Sequence, residues 1–224
     1  MKKKIVYFFL FTFKKNKFWA FSQMGINNRY MKNVEGLLFH KFMGSGGKTG
    51  FSLFPDFSTY ALVSVWDSMD SAEKFIKSSQ LISTYKIKSN EIRVLILDPF
   101  HSHGLWSGVN PFKIEKSTVN KNSKIAIITR ATLNFSKLIS FWKSVPDSSK
   151  AISKAKGVYY FKGIGEIPFI QQATISLWNS LNDVLEFAYK SKSHSEIVKK
   201  TRKEKWYKEE LFSRFYLIKD FILK

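Results

Sequence analysis

Residues 173–206, ATISLWNSLNDVLEFAYKSKSHSEIVKKTRKEKW, read as a strand, a helix, a turn carrying a histidine, and a second helix. Residues 61–79, ALVSVWDSMDSAEKFIKSS, repeat the opening of that stretch 112 positions earlier. Ala61 falls on Ala173, Ser64 on Ser176, Trp66 on Trp178, Ser68 on Ser180, Phe75 on Phe187 and Ser79 on Ser191. The apolar positions between them agree as well: Val63 meets Ile175, Val65 meets Leu177 and Met69 meets Leu181. Self-similarity at half the chain length marks a duplicated unit. Position 82 is isoleucine in the first copy, where the second copy has His194.

Working outward, Lys4–Phe13 is a β-branched and aromatic run, predicted as a strand, and Phe18–Val34 a helix that Gly36 stops. Leu37–Met43 and Tyr60–Trp66 are predicted strands, Asp70–Lys86 a helix and Ile92–Leu97 a strand. The second half repeats that order. Lys124–Leu133 is a strand, Ser136–Ala155 a helix ending at Gly157, and Val158–Ile164 and Gln172–Trp178 a strand pair. Helices follow over Asn182–Lys190 and Ser195–Leu211, then a strand over Phe212–Ile218. The first hairpins correspond at an offset of 121, with Gly36 on Gly157, Lys41 on Lys162 and Gly44 on Gly165. Each half reads βαββαβ, so the expected fold class is α+β, built of duplicated ferredoxin-like units. The first repeat spans 1–112 and the second 124–224. Residues 113–123 join them, at the end of a Gly- and Pro-punctuated stretch that begins at His101. Two such sheets can pack as an α/β barrel with a cavity between sheet and helices.

Composition excludes several chemistries. The chain has no cysteine, so disulfides, thiolate nucleophiles and cysteine-held metals are ruled out. Its formal net charge is +20, yet only five of the 37 basic residues are arginine, and the lysines are spread along the whole chain. That distribution is a solvated lysine-rich surface rather than a nucleic-acid reading face, with loose attraction to an anionic membrane as the runner-up. The apolar run Ile5–Phe13 is too short to span a bilayer and has no small-residue cleavage site, so a cytoplasmic protein, with membrane association as an added feature, is expected.

Several short patterns bear on function. GSGGKTG (44–50) imitates a phosphate loop, but the required glycine is replaced by Phe42 and no helix can start in FSLFP (51–55). His101 and His103 have the spacing of a two-imidazole pair without a further ligand nearby, leaving His103 as a reserve axial ligand for a heme. His40, between Phe39 and Lys41, reads as a satisfied structural histidine. Glu204, Glu209 and Glu210, set among lysines, are expected on the solvated face of a helix. Ser193 and Glu196 make a capping-box pattern that places His194 in the first turn of a helix. These residues by themselves give a cavity-bearing duplicated fold with one odd histidine, and no reaction.

Several stretches resemble the spheroidene monooxygenase family of carotenoid-modifying enzymes: FWAFSQMGINNR (18–29), GLLFHKFMGSG (36–46), LWSGVNPF (105–112), ITRATL (128–133), FWKSVP (141–146), GIGEIPFIQQATISLW (163–178) and HSEIVKKTRKEKWYKEELFSRF (194–215). The resemblance implies a dimeric α/β-barrel-type fold shared with heme enzymes such as aldoxime dehydratases. It also implies a heme-dependent monooxygenase, with heme b as cofactor and a ferredoxin-like electron donor, that introduces a keto group into an acyclic carotenoid. His194 is then the expected metal ligand. Arg130 and Arg214 are candidates to pair the heme carboxylates, and Trp142 and Trp178, with Phe141, Phe161 and Trp206, could line the cofactor and polyene pocket. A homodimer is expected from the fold type. The alternatives are a heme lyase of the aldoxime dehydratase type and a non-catalytic heme or lipid carrier.

Overall fold

The segment Ile5–Thr12 is apolar on both faces, and a strand of that kind is stable only when covered on both sides. The computed structural model, which describes residues 4–47, 52, 54–114, 123–190 and 199–224, gives it that place. This strand, β1 (Ile5–Thr12), lies between β3 (Pro55–Trp66) and β4 (Glu91–Gly104), antiparallel to both, so its backbone groups are paired on either side. Tyr7, Phe9 and Phe11 point to one face, where Phe75, Leu81, Ile82 and Tyr85 of two helices cover them. Each fully buried Phe contributes about 1.5–3 kcal/mol of transfer free energy.

The chain divides into two compact units. The described residues of the first lie within Met1–Ser45, Asp56–Pro99 and Leu217–Lys224, and those of the second within Gly46–Pro55 and Phe100–Tyr216. In the first unit β1 is followed by α1 (Lys17–Ile26), a short 3-10 turn (Asn27–Met31), β2 (Leu37–Gly46), β3, α2 (Met69–Ser78), α3 (Gln80–Lys88) and β4. Its strand order is β4-β1-β3-β2. In the second, β5 (Ile125–Leu133) leads to α4 (Leu138–Ser153), β6 (Val158–Ile167), β7 (Gln171–Trp178), α5 (Leu181–Lys190) and β8 (Tyr207–Ile222), in the order β8-β5-β7-β6. The pairs β5–β7, β5–β8 and β6–β7 are antiparallel, and the class is mixed α+β as expected.

The offset of 112 holds at the level of atoms. The Trp66 indole N–H donates to Ser64 Oγ at 2.9 Å, and Trp178 donates to Ser176 Oγ at 2.9 Å. Trp66 packs on Phe75 with ring centroids 5.1 Å apart, and Trp178 on Phe187 at 5.3 Å. Gly36 and Gly157 correspond too, with φ of +75° and +81°; a Cβ would overlap the Ser71 and Asp67 side chains at the first and Asp183 at the second. The carbonyls of these glycines accept from the N–H of Asp67 and of Asn179, both at 2.9 Å, which docks the strand start onto the helix start in each unit.

Three sequence expectations are corrected. The helix over Asp70–Lys86 is two helices, because Ser79 takes an extended conformation and its hydroxyl caps α3 by accepting from the Ile82 N–H. The helix expected to run to Leu211 ends earlier: residues 199–204 are helical, and β8 begins at Tyr207. Glu209 and Glu210 are therefore strand residues. The expected loop position of His101 and His103 also gives way, since β4 extends through both. Trp106 and Phe112, in the Gly- and Pro-punctuated stretch, are fully buried and belong to the second unit. No helix among the described residues is long and apolar enough to cross a membrane.

Candidate functional site

Alternation along β5 sorts the second unit into two faces. Ile125 and Ile127 face the helices, packed with Ile152 of α4 and Val184 of α5. Thr129 continues that face, and its hydroxyl meets that of Thr174 on β7 at 2.7 Å. The β8 partners on this face are Phe212, opposite Thr129, and Arg214, opposite Ile127. His103 stacks on Phe212 with centroids 5.5 Å apart, and His101 lies 5.7 Å from His103. The Arg214 guanidinium sits 5.2 Å above the Phe212 ring, and its Nε is buried with no hydrogen-bond partner among the described residues. Burial, then the positive charge of Arg214, then His103 lower the pKa of His101, so it is a neutral imidazole at pH 7. The result is a half-covered surface of two imidazoles, an aromatic ring, two hydroxyls and a guanidinium with spare donor capacity.

The opposite face holds a closed charge cluster. Arg130 is buried, with its side chain 1% exposed, and pairs with Glu209 of β8 and, at 3.6 Å, with Glu166 of β6. Glu166 also accepts from the Trp106 indole at 2.6 Å, and Glu209 accepts from the backbone N–H of Ser107 and Gly108 at 3.0 and 2.8 Å. Burial alone would raise the pKa of Glu209; the two amide donors and Arg130 outweigh it and hold the carboxyl below its usual range. Glu209 is thus a clasp for the 105–112 loop and not a solvated helix residue. Glu204 accepts from Ser140 Oγ and from the Trp206 indole.

The structure places the expected site residues in different settings. Arg214 lies on the helix-side surface, whereas Arg130 is on the other face with its two terminal nitrogens paired to Glu209 and Glu166 and its Nε, like that of Arg214, without a partner among the described residues, so the two arginines do not converge. Trp178 is core, 2% exposed, held by Ser176 and Phe187. Trp142 is on α4, its indole donating to the Phe169 carbonyl at 3.1 Å. His194 lies outside the described residues. His40 has a partner, Asn28 Oδ1 at 3.2 Å. Phe212, Thr129 and Thr174 were missed; the period-2 alternation of Leu211-Phe-Ser-Arg-Phe215 was the available signal for Phe212.

Among the described residues no three histidine, aspartate or glutamate side chains are grouped as metal ligands. A cavity of about 290 Å³ in the first unit, lined by Tyr30, Lys74, Phe75 and Leu81, is at the lower edge of small-molecule sites, about 300–1,000 Å³.

No protein-family model matches the chain. It is 32% identical over 211 residues to the spheroidene monooxygenase of Cereibacter sphaeroides, covering 94% of this chain and 65% of that protein. It is 30% identical over 201 residues to the spheroidene monooxygenase of Rhodobacter capsulatus, covering 89% of this chain and 83% of the relative. This chain belongs to the spheroidene monooxygenase family. It spans just under two thirds of the Cereibacter member's length. A crystal structure of aldoxime dehydratase matches 96% of the chain and 82% of its own at a TM-score of 0.65 and 10% identity, a likeness of fold. The half-covered face around Phe212 and Arg214 is where a chain of the spheroidene monooxygenase family offers unspent donors beside apolar walls.

Proposed function

We propose that the protein is a heme-dependent monooxygenase that introduces a keto group into an acyclic carotenoid. The observation that carries this is kinship at 30% identity over 83% of a spheroidene monooxygenase, joined to a partly open sheet face bearing Arg214. We read the two units as duplicated ferredoxin-like repeats of the dimeric α/β-barrel type, in a cytoplasmic homodimer served by a ferredoxin-like electron donor.

The residues on the helix-side face fit a porphyrin. The Arg214 guanidinium, with its Nε–H unpartnered among the described residues, is a donor suited to a carboxylate, and Phe212, Phe161 and Phe187 are partly buried apolar walls. His194 and Arg214 would hold a heme b, which would supply activation of dioxygen for insertion into a C–H bond. The chain does the rest. Its aromatic and aliphatic walls hold a polyene and exclude water, Arg214 holds a fixed positive charge against negative groups, and His101, neutral at pH 7, can take or give a proton at its ring nitrogens. Two successive hydroxylations at one methylene, each consuming one dioxygen, two electrons and two protons and releasing one water, give a gem-diol that loses water to the ketone.

Reconstitution with hemin tests this. The wild type is expected to show a Soret band that His194→Ala weakens or removes, and the loaded protein is expected to oxygenate a carotenoid only with both dioxygen and reductant. Wild-type protein without a Soret band in excess hemin would falsify the proposal. Turnover of an aldoxime without dioxygen would move it to a lyase.

A further inference from the structure

The second unit carries an apolar rim that its own fold leaves bare. Phe135 is 81% exposed and Ile139 is 75% exposed at the start of α4, while Ile167 and Phe169 at the β6–β7 hairpin are 47% and 45% exposed. Trp142 of α4 links the helix to the hairpin. The Trp142 indole donates to the Phe169 carbonyl, and the two rings lie 6.0 Å apart. Phe169 has φ +67°, an unfavourable backbone conformation for a bulky residue, and it sets an aromatic side chain out at the tip of the turn.

Beside the patch is a basic run. Asn134 donates from its backbone N–H to the Trp206 carbonyl at 2.8 Å and from its side chain to the Lys205 carbonyl at 2.6 Å, which sets Lys205 next to Phe135. Lys199, Lys200, Arg202, Lys203, Lys205 and Lys208 are exposed. Glu204, the carboxylate within this run, is turned in to Ser140 and Trp206. On α4 itself Lys143 and Asp147 are both exposed. Bare aromatic and aliphatic side chains bordered by lysine and arginine match the acyl–headgroup boundary of an anionic bilayer, where apolar burial and attraction to acidic lipid add.

We propose that this rim (Phe135, Ile139, Ile167 and Phe169, flanked by Lys143, Arg202, Lys203 and Lys205) docks the protein on an anionic lipid surface. It deepens the functional proposal by supplying the source of an apolar substrate, but stands without a heme: a Soret band and vesicle binding can fail independently. A second copy of the chain is as basic as the first, so like charges oppose self-association through this rim.

Co-sedimentation of the full chain with phosphatidylcholine vesicles, with and without phosphatidylglycerol, is the test. Binding is expected only with phosphatidylglycerol, is expected to fall as salt rises, and is expected to drop about tenfold or more in Phe135→Ser/Ile139→Ser/Phe169→Ser. Lys203→Glu/Lys205→Glu should weaken binding with the fold intact by circular dichroism, which guards against misfolding of the triple variant. Equal binding to both vesicle types, or undiminished binding by both variants, overturns the proposal. So does a wild type that ignores vesicles but whose dimer, by light scattering, falls apart in the triple variant; the rim is then a contact between copies.

Discussion

Replacing Arg130 with methionine removes a buried cation while keeping most of its volume. Its side chain is 1% exposed, and the two carboxylates it serves, Glu166 and Glu209, are 13% and 22% exposed. Breaking a buried ion pair by deleting one partner costs about 3–5 kcal/mol, because the other charge stays behind. Here two carboxylates stay behind, but both touch solvent, and Glu209 keeps its donors from Ser107 and Gly108, so the lower end applies: about 3 kcal/mol. For a chain of this size that is a fall in Tm of about 6–12 °C. The assay is thermal unfolding of heme-free protein by circular dichroism across pH. The Glu209 pKa is depressed in the fold, so its stabilisation is present above the ordinary carboxylate pKa and is lost as pH falls through the lowered value. Arg130→Met shrinks that depression, so its acid loss starts at a higher pH. The gap between the two proteins should be widest near neutrality and narrow once the carboxylates are protonated in both. Glu209→Gln added to Arg130→Met should recover part of the loss. A drop under about 3 °C at pH 7 would refute the structural role, given the per-degree scale for this size. Loss of hemin affinity with no change in heme-free Tm would make Arg130 a heme-carboxylate partner instead.

Trp66→Phe and Trp178→Phe should destabilise by similar amounts, about 1–2 kcal/mol each in urea titration, since each loses one indole bond to a serine and leaves a small void. A neutral effect at either position would deny that the two settings are equivalent. Gly157→Ala forces a side chain into positive φ and onto Asp183, and about 1–3 kcal/mol of lost stability is expected. Gly36→Ala should match it, and an unchanged urea midpoint in both would remove the docking role given to these glycines.

The correspondence between Trp66 and Trp178 was readable because its determinants are local. A tryptophan two residues past a serine and nine before a phenylalanine, at the passage from a strand to a helix, makes the same contacts at Trp66 and at Trp178. The Arg130 cluster was not readable for the opposite reason. Its members come from β5, β6, β8 and the 105–112 loop, and a Lys-Glu-Glu sequence carries no mark that one carboxylate will meet an arginine 79 positions away. Charge pattern therefore assigned Tyr207–Glu210 to a helix. Tertiary pairing with β5 made it a strand. The break at Ser79 was likewise hidden, because Ser-Ser inside an amphipathic run is compatible with a continuous helix until the hydroxyl finds the Ile82 N–H. Of the candidate site, alternation would have put Arg214 and Phe212 on one face, whereas the stacking of His103 on Phe212 needed β4 to extend past Pro99.

The first unit includes Leu217–Lys224, and Ile92 exchanges backbone bonds with Leu223 and Lys224 while Arg93 pairs with Asp220. Residues 217–224 leave the ribosome only after all of 100–216. During synthesis the earlier-made part of this unit must therefore wait with one sheet edge open, exposed to pairing with the wrong strand, until residues 217–224 follow.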